Sequence, residues 1–225
     1  MKNIKHKKLI FIGKDDYYSK KIYKFIIKNF NSTKIFLLKN KLENKKFKQN
    51  FKFSGDYLIS YRNPIILTKK ILDKIQYPIN FHPSTPKYRG VGCYNRAILN
   101  RDKIYGSTIH LINSKIDKGK ILVVERFRIS KVENLETLIK KTHKLQYGQI
   151  INILKMIKSG NFDIKKFKNN YKWSGNLFKK KQLEKIYEIK KKTSKNSFNR
   201  LILATNTKKF KPYIKIYNKK FYYED

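Results

Sequence analysis

A chain of 225 residues, 40% of them hydrophobic, can hold one ordinary domain plus an extension around a genuine core. The charge is lopsided, with 55 Lys and Arg against 15 Asp and Glu and a formal net charge of +40. One cysteine, Cys93, excludes a disulfide framework and points to a reducing cytoplasm, and apolar runs such as Leu9–Ile12 are too short to span a bilayer.

The excess of positive charge has three readings: compositional drift, attraction to small anions such as a nucleotide diphosphate, and nucleic-acid binding. It is spread along the whole chain and forms no tail, which favours drift. The N-terminus is basic but has no apolar signal region and no small-residue cleavage site. Four histidines (His6, His82, His110, His143) are far apart, and no Cys/His cluster has metal-ligand spacing, so no metal is expected.

In chain order, Leu9–Ile12 reads as a buried strand, Gly13–Asp16 as a turn, and Tyr18–Asn29 as an amphipathic helix with Ile22, Phe25 and Ile26 on its apolar face. Lys34–Leu38 is a second strand, so the chain opens as a βαβ unit with a parallel sheet. Its turn holds a single glycine, which excludes the Gly-x-Gly-x-x-Gly dinucleotide fingerprint. Asn40–Phe53 is a polar, lysine-rich connection, with a short helix as the alternative to a plain loop. Asp56–Tyr61 is the next strand, and Arg62–Leu67 leads to a helix over Thr68–Ile75 with Thr68 as its N-cap.

Tyr77–Phe81 is a strand that places Asn80 and His82 on the same side, and Pro83 and Pro86 end its ladder. Tyr94–Asn100 reads as a helix whose lead-in, Gly90–Cys93, calls for close backbone approach. Cys93 has no evident partner and reads as a small buried hydrophobe. Ser107–Ile112 and Ile121–Ile129 are strands flanking a turn that carries Asp117 and Gly119. His110 faces the same side as Thr108 and Ile112, and a supporting site residue and a structural histidine are equally good readings of it. Asn134–Lys158 is one long amphipathic helix, ended by Ser159 and Gly160.

The remaining residues differ in character. Trp173-Ser-Gly175 precedes a lysine-rich helix, Lys179–Tyr187, and a second short helix, Ser197–Ala204. Pro212–Tyr217 and Lys220–Tyr223 read as a hairpin with Asn218 and Lys219 in its turn. Its basic and aromatic residues suit nucleic-acid stacking, yet packing on the main domain is the favoured reading.

The pattern Asn80-x-His82-Pro83-Ser84…Pro86-x-Tyr88-Arg89-Gly90, followed by Gly106-x-Thr108-x-His110…Asp117-x-Gly119, resembles the 10-formyltetrahydrofolate-dependent formyltransferases. The resemblance covers Asp56–Ile129 with specific motifs. It implies an α/β, Rossmann-like, mostly parallel sheet, with 1–160 as the catalytic domain and 161–225 as a small C-terminal α+β extension. It implies Asn80, His82 and Asp117 as catalytic residues and 10-formyltetrahydrofolate as formyl donor. Ser60, Tyr61, Arg62, Ile65 and Ile66 correspond to the segment that lines the family's folate pocket. The phosphate loop of glycinamide ribonucleotide formyltransferases is missing after the first strand, and the loop around Thr85 is one residue shorter than the family's usual form.

The sugar N-formyltransferases are the best match within the family, which implies a nucleotide-linked amino sugar as acceptor and a homodimer. Two alternatives stay open: a methionyl-tRNA formyltransferase-like enzyme that uses the basic surface for tRNA, and a non-catalytic binder on the same fold. Chemically, formyl transfer needs donors for an oxyanion, which Asn80 and His82 can supply. It also needs a proton acceptor for the attacking amine, either Asp117 or His82 with Asp117 behind it. No Gly-x-Ser-x-Gly elbow points to a covalent serine mechanism.

Overall fold

The computed structural model describes residues 7–224, the side chain of Lys41 aside. His6 and the basic residues 1–6 lie outside them. Eleven strands are formed among the described residues: β1 Leu9–Lys14, β2 Thr33–Leu38, β3 Gly55–Tyr61, β4 Ile75–His82, β5 Arg89–Gly90, β6 Ile104–Leu111, β7 Ile121–Arg128, β8 Leu177–Phe178, β9 Glu188–Ile189, β10 Tyr213–Ile216 and β11 Lys219–Tyr222. The helices are α1 Tyr17–Asn29, α2 Lys41–Asn50, α3 Lys69–Leu72, α4 Cys93–Leu99, α5 Leu135–Lys158, α6 Lys180–Ile186 and α7 Lys195–Thr205.

The central sheet has the order β2-β1-β3-β4-β6-β7. It is parallel from β2 to β4, as the βαβ opening requires, and antiparallel from β4 through β6 to β7. The alternation of side chains along each strand divides the core between the two faces. Phe11, Tyr57, Ile59, Ile79 and Phe81 pack with α1 and α5 on one side. Ile10, Ile12 and Leu58 pack with Phe47 of α2 and Ile71 of α3 on the other. Asn80 and His82 are carried on the second face, because Tyr77, Ile79 and Phe81, which alternate with them along β4, belong to the first.

Helix ends follow local chemistry. Asp16 caps α1 by accepting from the Ser19 N–H, Asn134 caps α5 through the Thr137 N–H, and Gly160 leaves α5 with φ of 78°. One expectation is corrected. The helix over Thr68–Ile75 is a single turn, because Ile75 is already the first residue of β4, and Thr68 caps it with its carbonyl and makes no side-chain cap. Of the two readings of Asn40–Phe53, the short helix is the one formed: it is capped by the Asn40 side chain, and its Phe47 closes the second core.

The hairpin turn is also displaced by one residue. Tyr217 and Asn218 occupy its two central positions, with φ of 44° and 63°, so Ile216 pairs with Lys219. Asn218 thereby takes one of the left-handed positions that a two-residue turn demands. Packing is correspondingly partial. Tyr213 is buried, but Phe221 and Tyr222 are exposed and Tyr217 is 96% exposed.

The C-terminal segment is sewn to the rest by β5 pairing with β8 and by α7 packing on α4, where Ala204 joins a core cluster with Tyr88, Ala97 and Leu138. Leu154 in α5 is fully buried against the central sheet. Leu154→Ala should lose about 2–5 kcal/mol in urea denaturation, whereas Val132→Ala, at a site 75% exposed, should change stability by less than about 0.5 kcal/mol.

Candidate active site

Three strands set a row of polar groups side by side, since Ser60 pairs with Asn80 and Asn80 with His110. The His110 Nδ1 lies 2.7 Å from the Leu111 carbonyl, which can only accept, so Nδ1 carries the proton. Its Nε2 is therefore an acceptor, and the Asn80 amide donates to it at 3.0 Å. The register of β6 against β7 shifts between Ile109 and His110, an irregularity of the kind that re-aims a side chain.

β6 is antiparallel to β4, so its C-terminal end lies away from the mouth of β4. The connection over residues 112–120 folds back and returns Asp117 to His82. A Cβ on Gly119 would run into the Leu111 carbonyl, so only glycine permits this close return. Asp117 itself is left-handed, with φ of 46°, a conformation that Asp tolerates better than most residues. Arg89 fixes the turn from outside by donating to the carbonyls of Ile116 at 2.9 Å and Asp117 at 2.8 Å.

His82 is buried. Its Nε2 donates to the Tyr88 carbonyl at 2.6 Å, and its Nδ1 faces Asp117 Oδ1 at 3.4 Å. Both ring nitrogens thus point at oxygens that can only accept, which favours the imidazolium. Burial opposes that charge, but Asp117 and the Cys93 sulfur outweigh it and raise the His82 pKa to about 10. Asp117 shows the complement. Burial works against its carboxylate, yet His82 and the Gly90 N–H, which donates at 2.7 Å, hold its pKa at about 2. Burial lowers His110 to about 4, leaving it neutral.

The catalytic trio expected from sequence is thus gathered in one place. His110 is found to support it through Asn80. Cys93, read from sequence as without a partner, lies 3.8 Å from His82 Nε2, because the lead-in to α4 brings the first residue of that helix under the imidazole. Trp173 packs edge-on against both imidazoles, at 5.5 Å from His82 and 4.9 Å from His110 between ring centres.

The five residues expected to line a folate pocket are distributed differently. Ser60 and Tyr61 are buried within β3, Arg62 is ion-paired with Asp16 at 2.6 Å, and Ile65 belongs to the second core. Ile66 alone of the five offers a large apolar side chain to solvent, 61% exposed. Among the described residues no group of His, Cys, Asp and Glu could hold a metal ion, and no helix is long and apolar enough to cross a membrane.

Residues 9–154, well over half of the chain, match the sequence pattern described as formyl transferase. The chain belongs to the formyl transferase family. It is similar to the methionyl-tRNA formyltransferase of Wigglesworthia glossinidia brevipalpis, 35% identical over 121 residues, which cover 53% of this chain and 38% of that protein. It is also similar to the phosphoribosylglycinamide formyltransferase of Haemophilus influenzae, 31% identical over 121 residues, which cover 49% of this chain and 57% of that one. The chain therefore spans less than two thirds of either relative.

In fold it resembles the N-formyltransferase of Helicobacter canadensis, solved with folinic acid and dTDP-3-aminofucose. The TM-score is 0.73 at 20% identity, covering 96% of this chain and 86% of that one. The likeness in fold to that chain thus extends through the C-terminal segment as well.

The pKa directions set the pH profile of stability. His110 and His143, the latter lowered to about 3 by burial and by Arg62 and Lys14, gain protons on unfolding at acid pH. They contribute stability that is present above the ordinary histidine value and lost on acidification. His82 has the opposite sign: its contribution is full below about pH 6.5 and is lost as pH rises to about 10. The thermal midpoint should therefore fall between pH 6.5 and 10, by up to about 1.4 kcal/mol per pH unit, or roughly 3 °C. In His82→Gln that fall should be much reduced, as read by thermal denaturation across the same buffers.

Proposed function

We propose that this protein transfers a formyl group from 10-formyltetrahydrofolate to an amine, and that the amine belongs to a nucleotide-linked amino sugar. The observation that carries the first part is the juxtaposition of an oriented carboxamide, a charged imidazole and a depressed carboxylate at Asn80, His82 and Asp117. Acyl transfer to an amine needs stabilisation of negative charge on the acyl oxygen and removal of a proton from the attacking nitrogen. His82 bears positive charge in a buried site and acts on a developing oxyanion through that charge, since its two N–H groups are held by Asp117 and by the Tyr88 carbonyl. The second N–H of Asn80 is left for the same oxygen, since the first is held by His110. With His82 already protonated, Asp117 is the member of the trio that can accept the amine proton, through water.

The donor, when bound, supplies the acyl group. The residues present fit it in a restricted way. β3 and β4 end side by side, so the connection that carries Ile66 leaves the sheet beside Asn80 and His82. Ile112, after β6, packs against the same cluster as Ile65. Ile66 and the main-chain groups of these connections would hold the donor, and Asn80 and His82 would meet the formyl group it supplies. Ser60 and Tyr61 act by shaping the strand end and not by touching the ligand.

The sugar acceptor is supported by the likeness to the Helicobacter canadensis protein across both parts of the chain. A second reading has its own support. The identity to a methionyl-tRNA formyltransferase and the net charge of +40 fit a tRNA acceptor.

Turnover of 10-formyltetrahydrofolate should be measured by product absorbance against a panel of nucleotide-activated amino sugars and, separately, methionyl-tRNA. Turnover with a sugar is expected, and turnover with tRNA alone would overturn the acceptor assignment. Asn80→Ala should lose about 100- to 1000-fold in kcat, with His82→Ala and Asp117→Asn losing at least as much. Full activity in any of the three would remove that residue from the mechanism.

A further inference from the structure

The segment after α5 crosses back over the site and is anchored on both sides of Trp173. Asn169 donates to the carbonyls of Ile121 and Leu122 at 3.2 and 3.0 Å, tying one side to the start of β7. On the other side the Ser174 N–H donates to the Pro86 carbonyl at 3.1 Å, and β8 pairs with β5. Gly175, with φ of 73°, lies so close to the Lys87 carbonyl that a Cβ would collide with it. Between these anchors the indole stands edge-on to His82 and His110, at interplanar angles of 76° and 87°. Its Nε1 donates to the Gly119 carbonyl at 2.8 Å. One side chain therefore touches both imidazoles and the turn that delivers Asp117. Trp173 also lines a cavity of about 360 Å³ with Lys118, Lys120 and Lys172, so removing the indole would open the imidazoles to that cavity.

We propose that Trp173 is a positioning residue for the reaction, holding the Asp117–Gly119 turn through its N–H and keeping water off the His82–Asp117 pair with its ring. Its consequence for turnover rests on the formyl-transfer reading, but its effect on His82 does not.

The groups facing His82 come from four places: Asp117 from the 112–120 connection, His110 from β6, Cys93 from α4, and the Tyr88 carbonyl from the loop after β4. Water admitted beside His82 would relieve its burial and also screen Asp117. Asp117 and Cys93 outweigh burial in the intact site, so screening decides the direction, and the ring should move back toward an ordinary histidine.

The experiment is a histidine NMR titration of the full chain in three forms: unchanged, Trp173→Ala and Trp173→Phe. The His82 signal is assigned by its loss in His82→Gln. The His82 midpoint should fall by about one pH unit or more in Trp173→Ala. Trp173→Phe keeps a ring over the imidazoles and should restore most of the difference. In parallel, kcat should fall about tenfold or more in Trp173→Ala with KM changed less than about threefold, as misalignment of reacting groups predicts.

An unshifted midpoint in folded Trp173→Ala would overturn the proposal, and so would a Phe variant displaced as far as the Ala one. If Trp173→Ala does not fold, Trp173→Leu takes its place with the same two outcomes. The titration needs no turnover, so a protein inactive toward every amine could still pass it. Conversely, an active protein with an unmoved midpoint would sink only the role of Trp173.

Discussion

The site is organised by a buried ion pair between His82 and Asp117. Such a pair is costly to bury unless its remaining hydrogen-bonding capacity is filled, and here it is filled from the backbone. His82 gives its second N–H to the Tyr88 carbonyl, and Asp117 takes the Gly90 N–H on its other oxygen. Each charge thereby dictates the path of a loop, one after β4 and one after β6. Arg89 adds the outer brace by gripping the carbonyls of Ile116 and Asp117. The Tyr-Arg-Gly sequence at 88–90 thus places three consecutive residues on the pair, through a carbonyl, a guanidinium and an N–H.

The same constraint explains why the C-terminal residues matter to the site. The pair needs a dry setting, and neither Phe47 of α2 nor Ile71 of α3, which join the second core cluster, is among the groups that touch it. Cover comes from the 112–120 connection below and from the segment bearing Trp173 above. That segment is held in place by β5–β8 pairing, and α7 behind it packs on α4 with Asn95 donating to the Ala204 carbonyl at 2.7 Å. Helix α4 in turn begins with Cys93 against the imidazole. Stability in the tail and geometry in the site are thus coupled through α4.

Much of this was legible in the residues themselves. The alternation along β4 places Asn80 and His82 together because side-chain direction in a strand has a fixed period, and proline stops the strand where it must. The βαβ opening, the long α5 and its caps follow from local rules of the same kind. What local pattern could not supply were contacts made by chain returning from a distance. Cys93 gains a partner only because α4 starts beneath the ring, and His110 meets Asn80 only through the register of β4 against β6. Ile65 and Ile66 differ in exposure although they are neighbours in a loop, since one faces the second core and the other does not. The hairpin turn lies one residue earlier than Asn218-Lys219, because Tyr217 and Asn218 adopt the left-handed geometry that a two-residue turn demands. A signal for Trp173 did exist in the sequence: a lone tryptophan followed closely by a glycine in a polar, lysine-rich stretch suggests a ring anchored by a tight turn.

The chain contains one tryptophan, and it is the one that rests on the two site imidazoles. A protonated imidazole beside an indole drains its excited state, and a ligand that displaces water nearby alters its emission. Excited at wavelengths that tyrosine does not absorb, the fluorescence of this protein therefore originates at the site and nowhere else. The fold has placed an optical reporter against the very groups proposed to do the chemistry, so occupancy and protonation can be followed in solution without a label.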